Sequence, residues 1–468
     1  MAKDTGKQIE RRAMMLETPI PKLIPQMAIP TIVAMMVSSI YYLADTYFVH
    51  FLGTSATAAV GVNLSIDQAI MMAGSFLAFG ANSYIARLMG ADKLKTASKT
   101  LSSAFYTAVI LGILVMIPGL MYTDKIVRFL GATNTSAPYA ASYATYLLIA
   151  APFTAPSFVL NQCLRSEGSP VFSMIGISAG AVLNIALAPL FIFTFGFGIA
   201  GAGMAAAISK LISFCILIYP YIRKKTVLRL SVKNISYRSD IVRETSLMGL
   251  PSLLRMGLAV VANIFVNKIS GNYSDSAQAA TSVVTRIMML PSFAMIGFGQ
   301  GFQPVAGFNW GAKRYDRVKE SFRFSCITGV IFTAVASVLI GIYAKQIILL
   351  FTDADTEMVR IGSLCLITQC ISMSLSAWVI VVNMLYAALG KPVGAIFLGI
   401  TRQGVCFIPV LFILPTFFGI NGLAVSQGVA DLISFLITIP FAVSIIKSIT
   451  RQEKSELPLS NPYIGLFA

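Results

Sequence analysis

The 468-residue sequence is 56% hydrophobic and 12% charged, with a mean hydropathy of +0.79; a soluble domain carries about 25% charged residues. Its net charge is +16, from 35 Lys and Arg against 19 Asp and Glu, but the cations lie mostly in short links between long apolar runs. That pattern argues against a nucleic-acid partner and against a soluble enzyme, and it makes the whole chain a membrane domain.

Residues 1–22 are polar, of mixed charge, and lack a small-residue cleavage signature, so they read as a retained cytoplasmic tail. Twelve runs long enough to cross a bilayer follow: 24–50, 56–87, 97–122, 138–162, 170–195, 199–222, 246–270, 277–310, 321–346, 358–388, 393–417 and 422–446. They divide into a first lobe over 23–225, a cytoplasmic linker over 226–244, a second lobe over 245–448 and a tail over 449–468. The fold class is therefore all-α integral membrane, with twelve transmembrane helices in two pseudo-symmetric six-helix bundles. Alternate links plus both tails hold 26 Lys and Arg, whereas the opposite links hold five, including Lys125, Arg128 and Lys345. Both termini are thus expected in the cytoplasm, in a multi-pass protein of the cell membrane.

The chain repeats itself. Pro30 pairs with Pro251, Gly90-Ala91 with Gly311-Ala312, and Gly168-x-Pro170-Val171 with Gly390-x-Pro392-Val393. Gly198-Ile199-x-Gly201 pairs with Gly419-Ile420-x-Gly422, and Leu211-Ile212-Ser213-Phe214 with Leu432-Ile433-Ser434-Phe435. Every pair is 221 or 222 residues apart. Six helices per half is an even number, so both halves run the same way and their pseudo-twofold axis follows the membrane normal.

Asp45 sits in the first run, with no Lys or Arg between Lys22 and Arg87. Intramembrane carboxylates are costly and mark ion or substrate paths. A carboxyl at low dielectric can be poised to take a proton on one side and release it on the other. It can also hold sodium or a cationic substrate. Asn184 in the fifth run is a candidate partner whose amide can donate to and accept from Asp45. Asn63, Asp67, Gln68 and Asn82 suggest a polar face of the second run toward a cavity. Arg255, Arg286 and Arg402 lie in or near apolar runs of the second half, where they either neutralise a carboxylate or snorkel. Lys210 and Asp431 fall at equivalent repeat positions with opposite charge and are expected to stabilise helix ends near the cytoplasmic face. The six cysteines lack paired C-x-x-C spacing and there is one histidine, so neither disulfides nor a metal site are expected. No phosphate loop, nucleophile elbow or H-E-x-x-H is present, so no enzyme is expected. With no cofactor, the energy source is an ion gradient.

The segment from Gly299 through Gln300, Phe302, Gln303, Pro304 and Asn309-Trp310-Gly311-Ala312-Lys313-Arg314, with Arg317-Val318, resembles the multidrug and toxic compound extrusion (MATE) family, in its MepA-like branch. Leu43-Ala44-Asp45-Thr46-Tyr47-Phe48-Val49 is similar to the family's V-D-x-x-F-x-G pattern, with departures at Ala44 and His50. Leu183-Asn184-Ile185 and Arg402-Gln403-Gly404 with Pro409 also look like the family. The resemblance implies two V-shaped lobes and export of amphipathic, mostly cationic drugs by proton or sodium antiport. It maps the family's first-lobe aspartate onto Asp45 and an asparagine onto Asn184, and adds Gln300 and Gln303 to the cavity candidates. Ala188 stands where the family often has a second Asp, Ala206 where it often has a hydroxyl, and Ala259 where another branch has a glutamate. Hard cations want several oxygens, so proton coupling through Asp45 is the preferred expectation, in a monomer in the lipid bilayer. A lipid-linked oligosaccharide flippase is the alternative; a channel would need a filter sequence, and none is evident.

Overall fold

In lipid every backbone N–H and C=O must be satisfied within the chain, and runs of this length do so as helices. The computed structural model describes residues 2–351 and 356–456, without the side chains of 2–5, 7, 46, 50, 54, 57, 58 and 275. The C-terminal stretch expected as a tail lies largely outside the described residues. A helix α1 (Ala2–Glu17) precedes the spans. The first lobe holds α2 (Ile20–His50), α3 (Thr54–Gly90), α4 (Leu94–Met121), the short α5 (Thr123–Phe129), α6 (Ala137–Ser166), α7 (Pro170–Pro189) and α8 (Gly198–Ile222). The second holds α9 (Ser239–Tyr273), α10 (Asp275–Gly311), α11 (Tyr315–Ile342), the short α12 (Ala344–Leu349), α13 (Thr356–Ala388), α14 (Pro392–Ile400) and α15 (Ile408–Glu456). Wider π-helical turns extend α7 over Leu190–Thr194 and join α14 to α15 over Thr401–Phe407.

Among the described residues, eleven helical stretches are long and apolar enough to cross a membrane, one of them running over 65 residues from Pro392 to Glu456. At about 1.5 Å per residue, that stretch is roughly three times the thickness of a ~30 Å hydrocarbon core. It turns at Gly419, whose φ of 56° is left-handed, and this turn divides it into the eleventh and twelfth spans. The repeated Gly-x-Pro turns behave alike. Gly168 (φ 71°) and Gly390 (φ 70°) end one helix, and Pro170 and Pro392 open the next.

Helices α2, α3, α4, α6, α7 and α8 pack on one another, as do α9, α10, α11, α13, α14 and α15. The lobes meet chiefly through α2 on α10 and α3 on α9, which are equivalent pairs under the repeat, and through α3 on α10. Glycine brings these backbones together. A Cβ on Gly90 would overlap the Phe308 carbonyl oxygen, and one on Gly311 would overlap the Arg87 carbonyl oxygen. The two contacts are images of each other, because position 308 repeats position 87. Gly80 and Gly249 likewise hold α3 against α9, and Gly297 and Gly301 hold α10 against α2. Hydrogen bonds from Ser83 to the Ala387 carbonyl and from Arg87 to Glu244 (2.7 Å) join the lobes at the same end, where the basic links lie.

The N-terminal segment packs across that end. Met15 is 1% exposed. Gln8 donates to Asp92 (3.1 Å) and Arg12 pairs with Asp92 (3.2 Å), both reaching the first lobe. Arg317 of the second lobe donates to the Thr18 carbonyl (2.6 Å). The linker is stitched to α4, where Ser98, Ser102 and Ser103 hold the backbone of Arg229, Ser231 and Ser236. Helix α9 begins at Ser239, before the expected end of the linker.

Replacing Gly311 by Ala should force α3 and α10 apart. In a chain otherwise free of cysteine, a cysteine at position 387 should then react several-fold faster with a water-soluble thiol reagent than it does beside the native glycine. An unchanged rate would show that the contact does not hold this end shut.

Candidate ion-coupling and substrate site

Asp45 lies near the end of α2, in the half of the first lobe away from the glycine contacts. It is 6% exposed. The Tyr143 hydroxyl on α6 donates to its Oδ2 at 3.1 Å, while its Oδ1 is buried with no hydrogen-bond partner among the described residues. Asp67 on α3 and Lys210 on α8 are near enough to act on it electrostatically. The Lys210 ammonium donates to Asp67. Four helices thus place two carboxylates, one ammonium and one phenol together. Lys210 is committed to Asp67, which leaves Asp45 the carboxylate with an uncommitted oxygen.

The other expected residues divide. Asn184 on α7 is 1% exposed, and both atoms of its amide lack a partner among the described residues. Its expected hydrogen bond to Asp45 is not made; Tyr143 takes that place. Asn63 donates to the Ala59 and Ala140 carbonyls at 2.9 and 3.1 Å and serves packing of α3 on α6. Asn82 does the same, donating to the Gln162 carbonyl and Oε1 at 3.2 and 2.8 Å, and so it braces the first lobe rather than facing a cavity. Gln68 is exposed, apart from its neighbour Asp67. Gln303 is 1% exposed and its Oε1 has no partner among the described residues. Gln300 accepts from Arg165 across the lobe boundary. Arg255 is half-buried, with its Cζ 5.9 Å from the Phe79 ring centroid on α3.

Lys210 and Asp431 depart from expectation. Neither caps a helix end. Both lie well inside a span, because each neutralises a charge there: Lys210 that of Asp67, and Asp431 that of Arg402 (Nε to Oδ1 2.7 Å).

Three groups escaped the sequence reading. Tyr143 carries no local signal, since its partner is 98 residues away. Arg165 was counted among the link cations, yet it is 0% exposed and donates to Ser173 (3.1 Å) as well as to Gln300. Glu167, in the same link, is 1% exposed. It accepts from the Tyr221 hydroxyl at 2.8 Å and from the Val227 and Leu228 N–H groups at 2.9 and 3.2 Å, anchoring the start of the linker. Burial pushes the Glu167 carboxyl up to about 7, against the pull of these donors. An acidic residue in an otherwise basic link was the available signal.

The family model of MatE matches residues 30–190 and again 251–413. The chain belongs to the MatE family. The two matches begin at Pro30 and Pro251, a pair already identified by the internal repeat. The chain is 29% identical to "Multidrug export protein MepA" of Staphylococcus saprophyticus subsp. saprophyticus, over 92% of this chain and 95% of that protein. It is 27% identical to the MepA protein of Staphylococcus aureus strain MSSA476, over 89% and 92% of the two chains. Among solved structures, a MATE protein in complex with MaL6 superimposes with a TM-score of 0.89 at 23% identity, covering 94% of this chain and 99% of that one. A multidrug resistance MATE transporter in its outward-facing conformation gives 0.88 at 24% identity, over 93% and 98%. These MatE relatives share the twelve-helix, two-bundle fold.

Glu167 generates a stability prediction. Its folded carboxyl binds a proton more tightly than the ordinary carboxyl near 4.5. The folded state therefore loses stability as pH rises from about 4.5 to about 7, by at most roughly 3 kcal/mol. Thermal unfolding of the wild type should fall in temperature across that window. Glu167→Gln should flatten the fall, and an identical slope in the variant would refute the assignment.

Proposed function

We propose that this protein is a multidrug exporter of the cell membrane. It moves amphipathic, mostly cationic compounds outward by alternating access, in exchange for protons. Its membership of the MatE family and its likeness over most of its length to proteins named multidrug export protein MepA support transport of drugs. The single observation behind proton coupling is Asp45: one oxygen held by Tyr143, the other buried and uncommitted, with Lys210 already engaged by Asp67. A proton needs one such oxygen. A sodium ion needs several, and Ala188 and Ala206 add none.

The sidedness follows from charge. The links at the glycine-packed end carry most of the Lys and Arg, so that end and both chain termini face the cytoplasm. The lobes are then held together at the inward end, the arrangement of a release state. A proton reaching Asp45 from outside would discharge the site and free a cationic compound. Rocking the lobes would return the proton to the cytoplasm and expose the carboxylate to the next substrate.

Uptake of a fluorescent cationic dye into proteoliposomes should follow an imposed pH gradient, and a sodium gradient alone should not drive it. Asp45→Asn should lower gradient-driven uptake at least ten-fold. Undiminished uptake in that variant would sink the coupling role of Asp45, and uptake driven only by sodium would sink proton exchange.

A further inference from the structure

Arg255 lies well inside α9, one turn beyond Pro251, where α9 runs beside α3. Its guanidinium faces across the lobe boundary, 5.9 Å from the Phe79 ring centroid. Arg402 is close enough to act on it electrostatically. Arg402 is already matched: its Nε donates to Asp431 Oδ1 at 2.7 Å and its Nη2 to Oδ2 at 3.3 Å. Asp431 accepts two further bonds, from Gln427 (3.1 Å) and Ser372 (3.2 Å). Four donors occupy its two oxygens, so it has nothing left for Arg255. Asp431 is also the one acidic residue set well inside a span of the second lobe among the described residues. No ion pair and no hydrogen-bond acceptor is found for the Arg255 guanidinium among the described residues. Two guanidinium groups and one carboxylate leave one positive charge uncompensated.

A lone guanidinium at this depth is costly, and such groups mark ligand sites. Its planar fork of donors fits a carboxylate through two parallel bonds, and the Phe79 ring beside it offers a face to a planar apolar body. We infer that Arg255 receives the carboxylate of amphipathic carboxylate-bearing substrates at the lobe boundary, with the ring system of the substrate against Phe79. The inference rests on the export reading and assigns Arg255 as the residue that selects carboxylate-bearing compounds within it. Such a compound carries its own countercharge to Arg255, and a purely cationic compound gains nothing there.

The test uses the full-length purified protein in detergent and a fluorescent quinolone bearing both a basic amine and a carboxylate, compared with its methyl ester. Binding is read by fluorescence anisotropy. The wild type should bind the acid at least ten-fold more tightly than the ester. Arg255→Gln should abolish that preference while still binding the ester, which also reports that the variant is folded. Arg255→Lys should keep part of the preference, because a point charge cannot make the paired bonds. Equal binding of acid and ester by the wild type would overturn the inference, as would a preference retained in Arg255→Gln or an equal loss of both ligands. If Arg255→Gln does not fold, the wild type and Arg255→Lys still decide. Repeating the measurement with added phosphatidylglycerol separates the two sources of anion: weakening of the acid alone is expected if the headgroup competes for the same fork, and a site already filled by lipid would show no acid preference in lipid-bearing protein and overturn the assignment. Binding needs no gradient, so intact acid preference without flux would sink the export reading and leave this one standing.

Discussion

A charge left alone in hydrocarbon costs several kcal/mol, and the arrangement of this chain follows from that cost. Lys210 is met by Asp67 inside the first lobe and Arg402 by Asp431 inside the second. The ion pair that joins the lobes, Arg87 with Glu244, lies at the end of the spans, beside the links. Against that background the uncommitted groups stand out. Asp45 keeps one bare oxygen, and Arg255 keeps a whole guanidinium. The proposed exchange and recognition rest on these two groups.

The second constraint is steric. Where Gly90 and Gly311 cross, main chain meets main chain, with no side chain able to adjust between them. Contact of this kind is made or broken as a whole, because packed interiors are not continuously deformable. The N-terminal segment and the linker reinforce the same end. Arg317 reaches the Thr18 carbonyl from one lobe and Asp92 reaches α1 from the other, while Glu167 fixes the linker at its root. Segments that read in the sequence as a cytoplasmic tail and a cytoplasmic linker are therefore packed against the lobes at this end.

The fold was legible in the sequence because its causes are local or periodic. Apolar runs set the spans, Gly-x-Pro sets the turns, and the 221-residue spacing sets the symmetry. Asp45 was legible for the same reason: a carboxylate in an apolar run is anomalous without reference to any neighbour. Its partner was not. Asn184 was the chemically reasonable choice, but only the assembled first lobe reveals that Tyr143 on α6 is within reach. Asn82 misled because a polar residue inside a span looks the same whether it faces water or, as here, Gln162. Arg165 misled because a link cation reads as a topology signal, whereas this one is wholly buried between the lobes.

The pairing of charges within lobes has an electrical consequence. Moving one elementary charge through the membrane potential is worth about 2.3 kcal/mol per 100 mV. When a lobe turns as a rigid body, Lys210 travels with Asp67 and Arg402 with Asp431, so each displacement of positive charge is cancelled by an equal negative one. These pairs are themselves electrically silent. Any dependence of turnover on voltage then reports groups outside these pairs, Asp45, Arg165 and Arg255 among them, and the charge of whatever they carry.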